Sequence, residues 1–147
     1  MNHLKEFITL DNFKNFYNPI KQVRYRNNII FSIGFNQNEE IEIGPLLSSY
    51  IVRPSESNLH ASEIALKVCN EMKIFFKNSN LPVLGKGDGF WRHIQIRDFK
   101  DKCIVSFRVS DKKEYSDKWI IEQQQLVEFI KCNLPFVVNI ASTVTIV

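Results

Sequence analysis

The sequence predicts an α+β fold in which two helices pack on one side of a mainly antiparallel sheet. Two observations predict it. Polar and apolar residues alternate along several short stretches, as in half-buried strands, and two longer stretches carry apolar residues at the three-to-four spacing of amphipathic helices. In chain order these patterns give an N-terminal β-hairpin followed by (β)αββαβ, close to the split βαβ arrangement. The 147 residues are about enough for one domain.

The first predicted element is a hairpin that follows an N-terminal arm. Residues 1–20 have weak periodicity and end near Asn18-Pro19, a turn signal, so we expect an arm at 1–20 and a single α+β domain at 21–147. Alternation begins at Val23, a turn follows at residues 36–39, and residues 41–43 return as a short strand. One side of the first strand carries Tyr25, Asn27, Ile29, Phe31, Ile33 and Phe35, and the other carries Arg24, Arg26, Asn28, Ile30 and Ser32.

Two helices are predicted after this hairpin and a further short strand at residues 49–52. The first helix has Ser57 or Asn58 as its N-cap and ends at residues 78–80, before Pro82. The second runs from an Asp117 N-cap to about Cys132. The apolar residues that should face the core are Ala61, Ile64, Ala65, Val68, Met72 and Phe75 in the first helix, and Trp119, Ile120, Leu126, Val127 and Ile130 in the second.

Between the two helices, residues 91–99 and 103–109 are predicted to form a second hairpin, and residues 135–147 a final strand. Alternation places Ile94 and Ile96 on the core side, together with Cys103, Val105, Phe107 and Val109. The opposite side then carries Trp91, His93, Gln95, Arg97 and Phe99, together with Ile104, Ser106 and Arg108. Aromatic and cationic residues on an open sheet face are typical of proteins that bind single-stranded RNA. The alternative is that Trp91 and Phe99 pack beneath the arm or the first hairpin.

Composition and charge narrow the class of protein. The net charge is only +3, but Lys14, Lys21, Arg24 and Arg26 stand together without an acidic residue among them. Three separated cysteines predict neither a disulfide framework nor a zinc site, and three isolated histidines predict no metal site. The sequence has no apolar run near the ~18 residues of a membrane span and no leader pattern. We therefore expect a protein of the cytosol or nucleus.

Four sequence blocks carry a resemblance to a known family. They are Tyr25–Phe35 (YRNNIIFSIGF), Leu59–Ile64 (LHASEI), Asn80–Val83 (NLPV) and Gly89–Arg97 (GFWRHIQIR). In this order they resemble the central domain of the RNA uracil-5-methyltransferases, in particular the eukaryotic-type tRNA enzymes that make ribothymidine in the T-loop. The resemblance covers roughly residues 23–143. The sequence departs from the family at Leu84-Gly85, where the family usually has Tyr-Asp.

The resemblance implies RNA binding without catalysis by this chain. The family's chemistry needs a C-terminal domain that binds S-adenosylmethionine, a cysteine nucleophile and a glutamate base, and the chain shows none of their motifs. Cys132-Asn-Leu-Pro135 mimics the string around the nucleophile but reads as a helix end, where Asn is a common cap. The glycines at 85, 87 and 89 lead into a strand, so they are not expected to cradle a cofactor. We expect no catalytic residue and no cofactor here, with S-adenosylmethionine entering only through a catalytic domain elsewhere.

The expected partner is tRNA, through its T-arm, with a separate or C-terminal methyltransferase domain as a further partner. His60 and Glu63 are explained as well by helix capping as by RNA contact, and His93 lacks the partners of a general base. Two alternatives stay open: a fragment of a complete S-adenosylmethionine-dependent tRNA methyltransferase, and an interaction protein that kept the fold. The residues expected to contact RNA are Arg24, Tyr25, Arg26, Asn27, Trp91, Arg92, His93, Arg97 and Arg108.

Overall fold

The computed structural model describes residues 23–85 and 88–145, so the predicted arm at 1–20 lies outside the described residues. Two short 3-10 turns, Ser55–Ser57 and Lys113–Tyr115, precede the helices. The regular elements are β1 (Asn28–Phe35), β2 (Ile41–Gly44), α1 (Glu63–Asn78), β3 (Trp91–Phe99), β4 (Lys102–Ser110), α2 (Ser116–Asn133) and β5 (Val137–Thr145).

The strands form one five-stranded sheet in the order β2-β1-β3-β4-β5. Every neighbouring pair of strands is antiparallel except β4 and β5. These two strands run parallel, because α2 returns the chain to the end of the sheet at which β4 begins. The predicted α+β class with two helices and a mainly antiparallel sheet is therefore confirmed. Residues 49–52 do not form a strand: Ile51 and Val52 make only isolated bridges, to Phe35 and Leu46.

The core lies between the sheet and the helices, as alternation predicted. The predicted set is confirmed: Ile94, Ile96, Val105 and Phe107 are buried, and so are Val68, Met72, Leu126 and Ile130. Ile64 packs half-buried at its edge. The prediction for Ile120 is wrong, since its side chain is 64% exposed. The buried stripe of α2 instead follows Glu122, Leu126 and Ile130, which are spaced four residues apart.

The start of α1 differs from the prediction. Ser62 is the N-cap, and its hydroxyl oxygen accepts a hydrogen bond from the backbone N–H of Ala65 at 3.1 Å. Ser57, one of the predicted caps, belongs to the separate 3-10 turn, and Asn58 lies just beyond it. Glu63 opens the helix, where a carboxylate favours the positive end of the helix dipole. The local role expected for Glu63 therefore fits the structure.

None of the helices in the described residues is long and apolar enough to cross a membrane. Cys69 and Cys103 are buried free thiols, and Cys132 is an exposed one near the end of α2. Burial raises the pKa of Cys69 to about 12 and that of Cys103 to about 11. Both thiols therefore act as small core side chains.

Candidate nucleic-acid interface

A β-bulge at the start of β3 decides which side chains reach the open side of the sheet. Trp91 pairs with Val109 of β4, whereas His93 pairs with Arg108. Two steps along β3 therefore correspond to one step along β4. Arg92 is the extra residue. The bulge moves Trp91 onto the same side as Val109, which is the core side. Strict alternation is restored from His93 onward.

Trp91 is fully buried, so the prediction that it lies on the open face is wrong. Its ring packs against Phe76 and Phe90, with centroid distances of 5.1 and 5.0 Å. Its indole Nε1 donates a hydrogen bond to the hydroxyl of Ser79 at 3.0 Å. That hydroxyl in turn donates to the carboxylate of Glu122, which is 1% exposed. Trp91 thus ties β3 to both helices and has no surface left on which a base could stack.

The side of the sheet away from the helices carries three rows of side chains that cross β1, β3, β4 and β5. We call these twelve residues the open sheet face. Apart from Ser32, which is 8% exposed, all of them are exposed or half-buried. The rows are Asn28, Arg97, Ile104 and Asn139; Ile30, Gln95, Ser106 and Ala141; and Ser32, His93, Arg108 and Thr143.

The open sheet face has cationic, amide, hydroxyl and apolar side chains but no acidic one among its twelve residues. Arg97 and Arg108 are exposed on neighbouring strands. The amide of Gln95 lies 2.9 Å from the amide of Asn28 on β1, so the middle of this surface is polar. Ile30 and Ile104 remain 46% and 39% exposed. The surface therefore offers positive charge at two places, with a mixture of polar and apolar side chains around them.

Two arginines lie near the imidazole of His93. Burial lowers the pKa of His93, and the charges of Arg108 and then Arg92 lower it further. His93 Nδ1 and Arg92 Nε are both buried, and neither has a hydrogen-bond partner among the described residues. The bulge, which puts Arg92 and His93 side by side, therefore creates a concentration of positive charge at one end of the open sheet face.

Phe99 lies at the other end of β3 and is 73% exposed. Alternation from Arg97 puts its ring on the open side of the sheet. Lys100 Nζ sits 5.6 Å from the ring centroid, and Lys102 is the residue opposite Phe99 on β4. Phe99 is therefore an exposed aromatic ring beside two lysines, with Asp101 between them in the turn, and it takes the stacking position predicted for Trp91.

The segment before β1 does not continue the strand. Arg24 has a left-handed backbone with φ of 57°, which ends the predicted alternation there. Its guanidinium Nη1 donates to the carbonyls of Asn58 at 2.8 Å and Ala61 at 3.5 Å. The prediction that Arg24 shares the open side with Asn28 is wrong, because its side chain is directed to the loop before α1. Tyr25 lies against His60, with ring centroids 5.1 Å apart.

Arg26 and Asn27 are exposed beside this loop. The N–H of Arg26 donates to the carbonyl of His60 at 2.8 Å, and the carbonyl of Asn27 accepts from the N–H of Asp98 at 2.9 Å. Their backbones are thus fixed to the fold. The predicted RNA contacts of Tyr25, Arg26 and Asn27 stay predictions, located at the edge of the open sheet face.

The described residues contain no glycine-rich turn that leads from a strand into a helix. Such a turn is a common way of holding a nucleotide cofactor. Two connections lead from a strand into a helix: residues 45–62 join β2 to α1, and residues 111–115 join β4 to α2. Neither connection contains a glycine. Gly89 leads into β3, as predicted. The described residues also hold no group of three metal-ligating side chains.

Several residues of the open sheet face were missed by the sequence analysis as site residues. Four of them were placed on the correct side, but nothing in their local sequence indicates a binding role, because they meet only through cross-strand pairing: Asn28, Ile30, Gln95 and Ile104. Asn139, Ala141 and Thr143 depend on the parallel register of β5 against β4, which no local pattern reveals. Phe99 was placed on the correct side but was not predicted to contact RNA, and the usable signal for that role was its position beside two lysines at a hairpin turn.

Comparisons with known proteins give a likeness at the level of the fold. No protein-family model matches the chain, and no curated protein matches it by sequence. Among solved structures, the tRNA (uracil-54, C5)-methyltransferase of Pyrococcus abyssi, determined in complex with S-adenosyl-L-homocysteine, is similar with a TM-score of 0.52. The aligned sequences are 17% identical, and the match covers 67% of this chain and 25% of that chain. The chain thus spans about a quarter of the length of that enzyme.

Proposed function

We propose that this chain is an RNA-recognition domain that binds tRNA, through its T-arm, on the open sheet face. In this proposal the domain supplies binding and carries no methyl-transfer chemistry of its own. The fold likeness to a tRNA methyltransferase supports the choice of tRNA, and the four sequence blocks support it independently. The observation that carries the proposal is the exposed sheet surface with Arg97 and Arg108 and without a carboxylate.

Electrostatics favours a polyanion on this surface. The Cα atoms of Arg97 and Arg108 are about 14 Å apart, because they lie four residues apart along the sheet and one strand across. Two exposed guanidinium groups at that separation can contact different phosphates of one RNA strand. Phosphate contacts release counterions, so binding through them weakens as salt rises. Salt dependence is therefore the quantity to measure.

Stacking is assigned to Phe99 in place of Trp91. Its ring is exposed, flat and flanked by Lys100 and Lys102, which would hold a phosphate while a base lies on the ring. Ile30 and Ile104 supply further apolar contact for bases or riboses. This arrangement combines stacking with positive charge, as protein surfaces that bind single-stranded RNA do.

The test is the binding of a labelled T-arm hairpin RNA, followed by fluorescence anisotropy across a series of KCl concentrations. We expect Arg97→Gln to weaken binding and to reduce the slope of log affinity against log salt by about 0.7 to 0.9, one contact's share. Lys67→Gln is the matched control, because Lys67 is an exposed cation on α1, on the opposite layer. Equal slopes for wild type, Arg97→Gln and Lys67→Gln would overturn the proposed surface.

Phe99→Ala separates stacking from charge in the same assay. We expect it to lose about 1 to 3 kcal/mol of binding free energy with little change in the salt slope, since stacking releases no counterions. Wild-type affinity for Phe99→Ala would remove the ring from the interface and leave the arginines as its basis.

A second candidate is that the chain is the RNA-binding part of a complete S-adenosylmethionine-dependent tRNA methyltransferase. It is favoured by the match to about a quarter of a longer methyltransferase. In both cases we expect this chain alone to show no measurable binding of S-adenosylmethionine by calorimetry. Micromolar binding would contradict the division of labour proposed for it.

A further inference from the structure

The cationic end of the open sheet face is built differently from the rest of it. At the β3 bulge, Arg92 and His93 are neighbours on one strand, and His93 stands opposite Arg108 on β4 and Ser32 on β1. The groups that face the imidazole from its neighbouring strands are therefore one neutral hydroxyl and one guanidinium, with a second guanidinium beside it. Asp88 lies within electrostatic range of Arg92, but its carboxylate is already held by Lys112 at 2.6 Å.

Two nitrogens at this place lack a hydrogen-bond partner within the described part of the chain. Arg92 Nε and His93 Nδ1 are buried, and no atom of the described residues accepts or donates a hydrogen bond at either. A buried polar atom without a partner is unfavourable, so a ligand toward which these two side chains can turn and donate is stabilised there. An anion with several oxygen acceptors fits, because it can accept from both side chains and from Arg108 together.

We infer that Arg92, His93 and Arg108 form a phosphodiester-binding subsite at the β3 bulge, where the imidazole takes up a proton from solvent as an RNA phosphate binds, so that RNA affinity depends on pH. The inference rests on the proposed function, since the phosphate is that of the bound RNA. It adds a regulation that RNA binding alone does not require.

The direction of the pH effect follows from the charges. In the absence of RNA, burial and the two arginines hold the pKa of His93 below its ordinary value of 6.5, so the imidazole is neutral at pH 7. A phosphate beside it favours the charged form and raises the pKa. Between the two values binding takes up a proton, so affinity increases as pH falls through the higher pKa and levels off below the lower one.

The experiment measures the affinity of a T-arm hairpin RNA at fixed ionic strength between pH 7.5 and 5.5. We expect wild-type affinity to rise severalfold, since each unit between the two pKa values is a factor of ten. His93→Gln should bind with a nearly constant affinity over this range. The matched control is Lys67→Gln, at an exposed cation on α1, which should keep the wild-type pH dependence.

A second measurement needs no variant. The imidazole of His93 is titrated by NMR in the unbound protein, with the hairpin RNA, and with inorganic phosphate. A higher pKa in the RNA complex supports the subsite. An unchanged pKa in the complex, or the same pH dependence of affinity in wild type and His93→Gln, overturns it. A pKa raised by inorganic phosphate but not by RNA would identify a site for small anions and overturn the phosphodiester assignment.

The two proposals fail in distinguishable ways. RNA binding that weakens with salt but does not change with pH would leave the proposed function standing and remove only the proton-linked subsite. Absence of RNA binding at every pH and salt concentration would remove both.

Discussion

The indole nitrogen of Trp91 donates a hydrogen bond to the hydroxyl of Ser79 at 3.0 Å, on the helix side of the sheet and not on the open sheet face. The same hydroxyl donates to the buried carboxylate of Glu122. One tryptophan therefore joins β3, the end of α1 and the middle of α2. Trp91, which the sequence predicted to stack on RNA, is instead a buried residue of the core.

Trp91→Ala should consequently destabilise the fold. Loss of a buried indole leaves a cavity and should cost about 3 to 5 kcal/mol of unfolding free energy, measured by urea denaturation. Trp91→Phe keeps most of the volume but removes the N–H, so it should cost less, about 1 to 3 kcal/mol. A loss under ~1 kcal/mol for the alanine variant would place the side chain at the surface instead.

Truncation of two phenylalanines on the second hairpin should change the unfolding free energy by very different amounts. Phe107 is fully buried against both helices, so Phe107→Ala should cost about 3 to 5 kcal/mol. Phe99 is 73% exposed, so Phe99→Ala should change the stability by no more than about 0.5 kcal/mol. Thermal or urea unfolding of both variants checks the assignment of faces, and similar losses for the two would contradict it.

Arg24 should act on stability rather than on RNA binding. Its guanidinium binds the carbonyls of Asn58 and Ala61, so Arg24→Gln should cost about 1 to 3 kcal/mol of unfolding free energy. The slope of RNA affinity against salt should stay at its wild-type value. Arg26→Gln, at an exposed neighbouring arginine, serves as the comparison for stability. A reduced salt slope in Arg24→Gln without loss of stability would instead make Arg24 a phosphate contact.

Arg108 should influence the titration of His93 across the strand pair. Burial is the main reason that the pKa of His93 is low, and the charge of Arg108 is the next. Removing that charge in Arg108→Gln should raise the pKa of His93 toward 6.5, as followed by the imidazole signals in an NMR pH titration. Lys67→Gln, on the helix layer, should leave the titration where it is. A pKa that does not move in Arg108→Gln would show that the two side chains are not close.

Much of the fold was predictable from hydrophobic periodicity, and the exceptions have local causes. The period of two placed Ile94, Ile96, Val105 and Phe107 correctly, because β4 and the greater part of β3 are regular. It failed at Trp91, because an extra residue in a bulge shifts every earlier side chain to the other face and leaves no mark in the composition. The cause at Arg24 is different: its left-handed backbone ended the alternation of the first hairpin.

The candidate site was predictable to a smaller extent than the core. The cations Arg97 and Arg108 were placed on the open side by alternation alone, within regular strands. The cluster at His93 depends on cross-strand register and on the bulge, and the contribution of β5 depends on a parallel pairing formed after a helix. Such long-range pairings are set by the packing of the whole sheet, so a local pattern does not contain them.

The most direct test of RNA binding on the open sheet face is a methyl NMR titration of the folded chain with T-arm hairpin RNA. Exposed isoleucines report on both layers: Ile30 and Ile104 on the open sheet face, and Ile74 and Ile121 on the helices. We predict that RNA shifts the methyl signals of Ile30 and Ile104 and leaves those of Ile74 and Ile121 in place. Shifts confined to Ile74 and Ile121, or no shift at RNA concentrations that saturate binding in the anisotropy assay, would contradict this.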